Sequence, residues 1–242
     1  MPESKFRLPF LYRLSDLFVS TPSGPHGISL EADRGCVEIG ANVAITYVTR
    51  EDGAKNAEAL TLEYGVKTQA YHCDIRSYAD AEALIQSVIR DFSHIDGFIA
   101  GKAAKADLTG TFHCAKAVGG HFKQRGKGSF AVTSSMSGHI VNFPQEQTSY
   151  NVAKVGCVNF GKSLANEWRR SARVNSVTPG HIETRFLDSI GKDTKDLWMS
   201  MIPMGRCGVA KELNGLYVYL VSNASIYTTG ADMTVGGGYC VR

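Results

Sequence analysis

Tyr150 and Lys154 are the side chains whose types and spacing first promise chemistry. Residues four apart share one face of a helix, so the Lys154 ammonium would fall beside the Tyr150 phenol. A neighbouring cation favours phenolate over phenol. A phenol tuned in this way can protonate a carbonyl oxygen, or take the proton back from an alcohol. The chain has ten tyrosines in 242 residues, so such a pair also arises readily by chance. Its surroundings therefore matter. Fifteen residues upstream, Ser135 follows Val132-Thr133-Ser134, an extended stretch ending in hydroxyls. Downstream, Thr178-Pro179-Gly180-His181-Ile182-Glu183-Thr184 leaves another apolar run through a rigid turn whose backbone can bind a carboxamide edge. Ser135 sits in Ser-Ser-Met-Ser-Gly and not in a Gly-x-Ser-x-Gly elbow, which argues against a serine hydrolase.

These residues need a scaffold, and the hydrophobic pattern supplies one. Val43–Val48, Val66–Cys73, Ile95–Ala100, Ser129–Thr133, Arg173–Val177 and Ala231–Val235 read as strands. Between them lie helical patterns at Glu51–Glu63, Ala79–Phe92, Leu108–Phe122, Tyr150–Trp168 and Leu213–Val221. Continuous apolar strands joined by helical crossovers predict an α/β fold: a single doubly wound, Rossmann-like parallel sheet covered on both faces. Its ligand crevice is expected at the carboxyl ends of the strands, where Ser135 and the Pro179-Gly180 turn emerge. Residues 1–15 read as a lead-in and 16–242 as one domain.

Composition narrows the function classes. A formal charge of +3, with no basic block interleaved with aromatics, gives no reason to expect a nucleic-acid partner. No apolar run approaches the length of a membrane span, and the stretch before Asp16 is broken by Pro9. The cysteines Cys36, Cys73, Cys114, Cys157, Cys207 and Cys240 form no C-x-x-C pair and no zinc spacing. Free thiols in the cytoplasm and no metal are the expectation.

The order of strand, Ser135, Tyr150-x-x-x-Lys154 and Pro179-Gly180 resembles the short-chain dehydrogenases/reductases. Longer stretches are similar to the branch of fungal NADP-dependent mannitol 2-dehydrogenases and sorbose or carbonyl reductases. Among them are Ser135-Met136-Ser137-Gly138-His139-Ile140, Asn142 to Lys154, Ser163 to Trp168 and Met201 to Arg206. The resemblance implies Ser135 as the hydroxyl that orients the reacting oxygen, Tyr150 as general acid/base, and Lys154 as its activator and a ribose contact. It further implies hydride exchange between NADP(H) and a polyol/ketose pair, in a homo-oligomer (dimer or tetramer) with no membrane partner. Asp74, with Ile75, matches an adenine contact, and Gly180, Ile182 and Thr184 match the turn beside the nicotinamide. Thr49 and Arg50 follow the strand ending at Val48, where NAD enzymes carry an acidic residue; Arg50 is either a contact for the extra phosphate or a solvated charge at a helix start.

Two departures lie on the cofactor side. Of the family's glycine-rich turn, Gly24 and Gly27 survive, while Thr21 and Ser29 stand where glycines are expected. A Cβ at either place is expected to conflict with the turn or with helix packing, and an ordinary loop is the competing reading of Gly24 and Gly27. After Ala100 the chain also passes through Gly101-Lys102-Ala103-Ala104-Lys105-Ala106 straight into Asp107. About two dozen family residues are missing there, leaving a connection of ordinary length. Asp107 stands where most relatives place a proton-relay Asn. The alternative to a working reductase is thus a degenerate relative that keeps the fold and binds cofactor poorly. His139, Trp198 and Met199 are candidates to shape the substrate pocket, with plain packing as the other reading.

Overall fold

The computed structural model describes residues 17–20, 27–48, 52–101 and 107–241. The lead-in 1–15, Thr21, Gly24, Thr49, Arg50 and the side chain of Asp107 lie outside the described part. In chain order the elements are β1 (Leu17–Ser20), α1 (Ile28–Glu38), β2 (Asn42–Tyr47), α2 (Asp52–Tyr64), β3 (Thr68–His72), α3 (Tyr78–Phe92) and β4 (Gly97–Ala100). The second half continues with α4 (Asp107–Arg125), β5 (Ser129–Thr133), α5 (Thr148–Glu167), β6 (Arg173–Pro179), β7 (Ile182–Glu183) and α6 (Arg185–Asp188). It closes with α7 (Lys192–Met201), β8 (Gly208–Val209), α8 (Asn214–Val221) and β9 (Asp232–Val235).

Seven strands form one sheet in the order β3-β2-β1-β4-β5-β6-β9, and every pairing in it is parallel. The chain winds outward from β1 to β3, then crosses back to β4 on the other side of β1. This reversal opens a crevice at the carboxyl ends of β1 and β4.

Alternating strand residues feed two cores. Phe98, Phe130 and Val132 pack with Leu84 and Val88 of α3, Val118 and Phe122 of α4, and Cys157 and Leu164 of α5. Ile99, Ala131 and Val177 face the other way, onto Ala32 and Cys36 of α1, Leu60 of α2, and Tyr217 and Leu220 of α8. The Phe98 and Phe130 rings stack at 5.4 Å, and Trp168 meets Phe130 edge-on at 5.8 Å. Burying such a ring is worth roughly 1.5–3 kcal/mol.

Three features depart from the sequence expectation. Helix α1 carries no apolar stripe because its buried positions include Ser29, Asp33 and Gly35 beside Ala32, Cys36 and Val37. The small residues serve close packing: a Cβ on Gly35 would lie 3.0 Å from the Asn214 Cβ at the start of α8. Helix α7 buries Trp198 alone among its side chains and shows the rest at least partly to solvent, which hides it from a search for periodicity. The β7–β8 pair is two residues deep, too short for alternation to register.

Candidate active site

At the end of β5 the chain turns sharply and spends its hydrogen bonds at once. Ser134 N donates to Val177 O of β6 at 2.7 Å, and Ser134 Oγ donates to Lys154 O at 3.1 Å. Gly138 then lies flat on the same turn of α5; a Cβ there would sit 2.9 Å from the Lys154 carbonyl oxygen. The strand end and the start of α5 are therefore clamped together. On this clamp Lys154 is almost fully buried, at 1% exposure. Its Nζ donates to Thr133 O at 3.0 Å and lies 5.5 Å from the centre of the Tyr150 ring. A buried ammonium is tolerable where carbonyl oxygens and an aromatic face receive it. Thr133 is fixed in turn by a 2.8 Å hydrogen bond between its Oγ1 and the Tyr217 hydroxyl. Burial pushes the Tyr217 phenol far above its usual range, so this tyrosine stays a neutral strut.

Ser135 is half-buried and follows immediately. Its hydroxyl accepts from Ser137 N and donates to Ser137 Oγ, both at 3.2 Å. Gln147, just before α5, donates from Nε2 to Ser137 Oγ at 3.2 Å and to Asn151 Oδ1 at 3.1 Å. The half-buried Tyr150 lies in the first turn of the same helix, which starts two residues earlier than its apolar pattern suggests. Ser135, Tyr150 and Lys154 are thus brought to one rim.

The end of β6 adds backbone. Gly180 N donates to Val235 O at 2.9 Å, and a Cβ on Gly180 would lie 2.6 Å from Gly236 Cα. Only glycine lets these two chains touch. Beyond the turn, Ile182 is buried and enters β7, and Thr184 reaches back across the crevice. Its Cγ2 lies 3.9 Å from where a Cβ would stand on Gly27.

Gly27 holds a backbone conformation unusual for a loop. It caps the amino end of α1 with φ 115° and ψ −166°, a region that is essentially glycine's alone. Gly27 has no side chain to cap this helix, and among the described residues none is recorded capping it, an arrangement suited to an anion at its first amides. Ser29 lies just inside the helix. It is buried at 4% exposure in the first turn of α1, in helical geometry that accommodates a side chain. At the far side, Asp74 leaves β3 and is gripped by Arg76, whose Nε lies 2.9 Å from both carboxylate oxygens. Those hydrogen bonds hold the Asp74 carboxyl down at about 2. Ile75 is buried, and its carbonyl is met by His113 Nδ1 of α4 at 2.9 Å.

Of the proposed pocket-shaping residues, Trp198 is fully buried and stacks on His181 at 4.4 Å, with its Nε1 donating to Phe143 O at 3.0 Å. Met199 packs partly buried against the same small cluster. His139 Nε2 pairs with Asp232 Oδ2 at 2.6 Å, which ties the segment after Ser135 to the edge strand. Neither Ser137 nor Gln147 has a role that the sequence pattern announces. The signal available was the position of Gln147, three residues before Tyr150.

A family model described as enoyl-(acyl carrier protein) reductase matches residues 24–107 and 100–240. The two matches overlap over residues 100–107, the connection from β4 to α4. The chain is 53% identical to an NADP-dependent mannitol dehydrogenase of Hypocrea jecorina, over 97% of this chain and 98% of the relative. That pairing runs over 262 residues, longer than the 242 of this chain, so part of the relative has no counterpart here. A sorbose reductase of Candida albicans is 40% identical over 95% of this chain and 89% of its own. Among solved structures, an NADPH-dependent 3-quinuclidinone reductase from Rhodotorula rubra superposes with a TM-score of 0.89 at 33% identity, covering 100% of this chain and 97% of that one.

Proposed function

From the chain's membership of the short-chain dehydrogenase/reductase family, we propose that it is an NADP(H)-dependent oxidoreductase acting on a polyol/ketose pair of the mannitol/fructose or sorbose type. The carrying observation is the buried Lys154 ammonium, held between the Thr133 carbonyl and the Tyr150 ring on the rim that also bears Ser135. The names of the relatives supply the substrate class and the cofactor. In ketose reduction, Ser135 turns its hydroxyl hydrogen from Ser137 Oγ to the carbonyl oxygen and orients it, while the Ser137 hydroxyl donates to Ser135 in its place, and Tyr150 gives the carbonyl oxygen its proton. Lys154 stabilises the phenolate left behind; in polyol oxidation the same groups run in reverse. NADP(H) is the hydride donor and acceptor.

The residues present fit such a cofactor. The amino end of α1, entered through Gly27, is assigned to its pyrophosphate, with Gly24 given the same role by the resemblance. Thr49 and Arg50 are assigned to the extra phosphate, and Asp74 with Ile75 to the adenine. Gly180, Ile182 and Thr184 are assigned to the carboxamide end and Lys154 to the ribose. No described helix is long and apolar enough to cross a membrane, and the cytoplasm is the proposed location. A homo-oligomer, dimer or tetramer, is supported by the outer face of α4 and α5. There Leu108, Phe112, Val152 and Val155 stand 37–67% exposed on two packed helices.

Titration of the purified protein with NADPH, followed by nicotinamide fluorescence, tests the reading. Saturable binding is expected, and no binding at millimolar cofactor would end it in favour of the degenerate relative. Tyr150→Phe should then abolish turnover while leaving NADPH affinity nearly unchanged.

A further inference from the structure

We propose that Gln147 is a positioning residue for Ser135, acting through Ser137. The inference rests on the role given to Ser135 above. Both hydrogen bonds of the Ser135 hydroxyl run to Ser137, and with Ser137 Oγ held by Gln147 the Ser137 hydroxyl can donate back, freeing the Ser135 hydrogen for the substrate. Ser137 is buried at 3% exposure, so water does not choose the direction of its side chain. The choice falls to Gln147, whose Nε2 meets Ser137 Oγ.

The Gln147 amide is itself fixed. Its nitrogen has two hydrogens, and both are committed inside the protein, one to Ser137 and one to Asn151 Oδ1. With Asn151 oriented as in this structure, turning the Gln147 amide over would set its oxygen against the Asn151 oxygen. Gln147 and Asn151 bracket Tyr150 at the start of α5. The chain Asn151–Gln147–Ser137–Ser135 therefore sets the serine hydroxyl relative to the helix that carries the tyrosine. Two groups that act on one oxygen need that registration, because small misplacements at a reacting centre are expensive in rate.

The test is a set of variants: Gln147→Leu, Ser137→Ala, Ser135→Ala, and each of the first two combined with the third. Gln147→Leu and Ser137→Ala should each lower kcat for ketose reduction about tenfold or more, with the NADPH dissociation constant unchanged. In the Ser135→Ala background neither should have a further effect, since both act through that hydroxyl. Gln147→Glu should lose activity near neutral pH and recover relative to the native protein as the pH falls, when its protonated carboxyl donates again. A full Gln147→Leu effect persisting in the Ser135→Ala background, or one confined to the KM for ketose, would overturn the inference. A crystal structure of Gln147→Leu gives a readout independent of turnover: Ser137 should leave its rotamer, and both serines unmoved would overturn the proposal. If the native protein turned over no ketose, the oxidoreductase reading would fall, and the crystallographic comparison would still decide this one.

Discussion

The two sides of the crevice are built on opposite plans. Around the ends of β5 and β6, four of the polar groups that build the site are closed within the chain. Lys154 goes to Thr133, Ser134 to the backbone of α5, Ser135 to Ser137, and Gly180 to Val235. At the amino end of α1 the plan is reversed: among the described residues no side chain is recorded capping the helix, and its N-cap, Gly27, holds a φ of 115° with no side chain to offer. The acid–base side is preorganised by its own hydrogen bonds, whereas the dinucleotide side is left open for an anionic ligand to complete. In the sequence, both departures from the family pattern fall at the start of α1 and between β4 and α4, and neither changes a residue of the clamp that holds Lys154.

The contrast can be broken by substitution, and the largest effect is expected on the closed side. Lys154→Met keeps the stem of the side chain and removes the ammonium. It leaves the Thr133 carbonyl without its donor and the Tyr150 phenolate without its cation. Turnover should fall by roughly 10²–10⁴, measured as kcat at saturating NADPH. The dissociation constant for NADPH should change far less. An equal loss in both would mean that the lysine serves the two sides alike and that the division is false.

Next in size is a stability effect on the same side. In Gly180→Ala the new methyl meets the Gly236 backbone at 2.6 Å, where nothing flexible can yield, and about 3 kcal/mol should be lost in urea unfolding. Gly236→Ala places its methyl 3.3 Å from Gly180 Cα and should cost less. If the two variants were equally stable, the tight contact of β6 and β9 would not be what holds the Gly180 turn. On the open side, Gly27→Ala should cost about 2 kcal/mol through its φ of 115°. It should also weaken NADPH binding, read by nicotinamide fluorescence, while leaving the Ser135–Ser137–Gln147 geometry intact in a crystal structure.

The division also explains what the sequence made legible. Tyr150 and Lys154 could be paired because i,i+4 spacing is a property of one helix. The doubly wound sheet could be read because its central strands are buried on both faces and run continuously apolar. Lys154's partner was hidden because it is a backbone oxygen on another strand, and no residue type announces a free carbonyl. The Gln147–Ser137 bond joins a helix start to a turn ten residues away, through side chains that equally suit solvent. Helix α1 escaped notice because close approach to α8 selects Gly35 and other small residues over an apolar stripe. Thr21, Gly24, Thr49 and Arg50 lie outside the described residues, so their assigned roles rest on the resemblance.

The smallest predicted effect lies between the two sides, at His181. Its ring stacks on Trp198 at 4.4 Å and meets Tyr239 edge-on at 5.2 Å, and Nε2 has no hydrogen-bond partner among the described residues. Burial pushes the imidazole down to about 4, so the folded protein keeps it neutral where the unfolded chain would take up a proton. Between about pH 6.5 and 4 the unfolded state therefore binds more protons, and stability must fall as the pH falls. This contribution is complete above the unfolded pKa and is lost progressively toward about 4. His181→Phe keeps an aromatic ring against Trp198 and removes the proton site. The melting temperature of the native protein should drop on acidification by more than that of the variant, with the gap opening below about pH 6.5. Because Trp198 donates to Phe143 O in the loop that leads to α5, acid should loosen α7 over the closed side first. Parallel melting curves for the two proteins across this range would show that the buried ring does not couple the α7 cluster to pH.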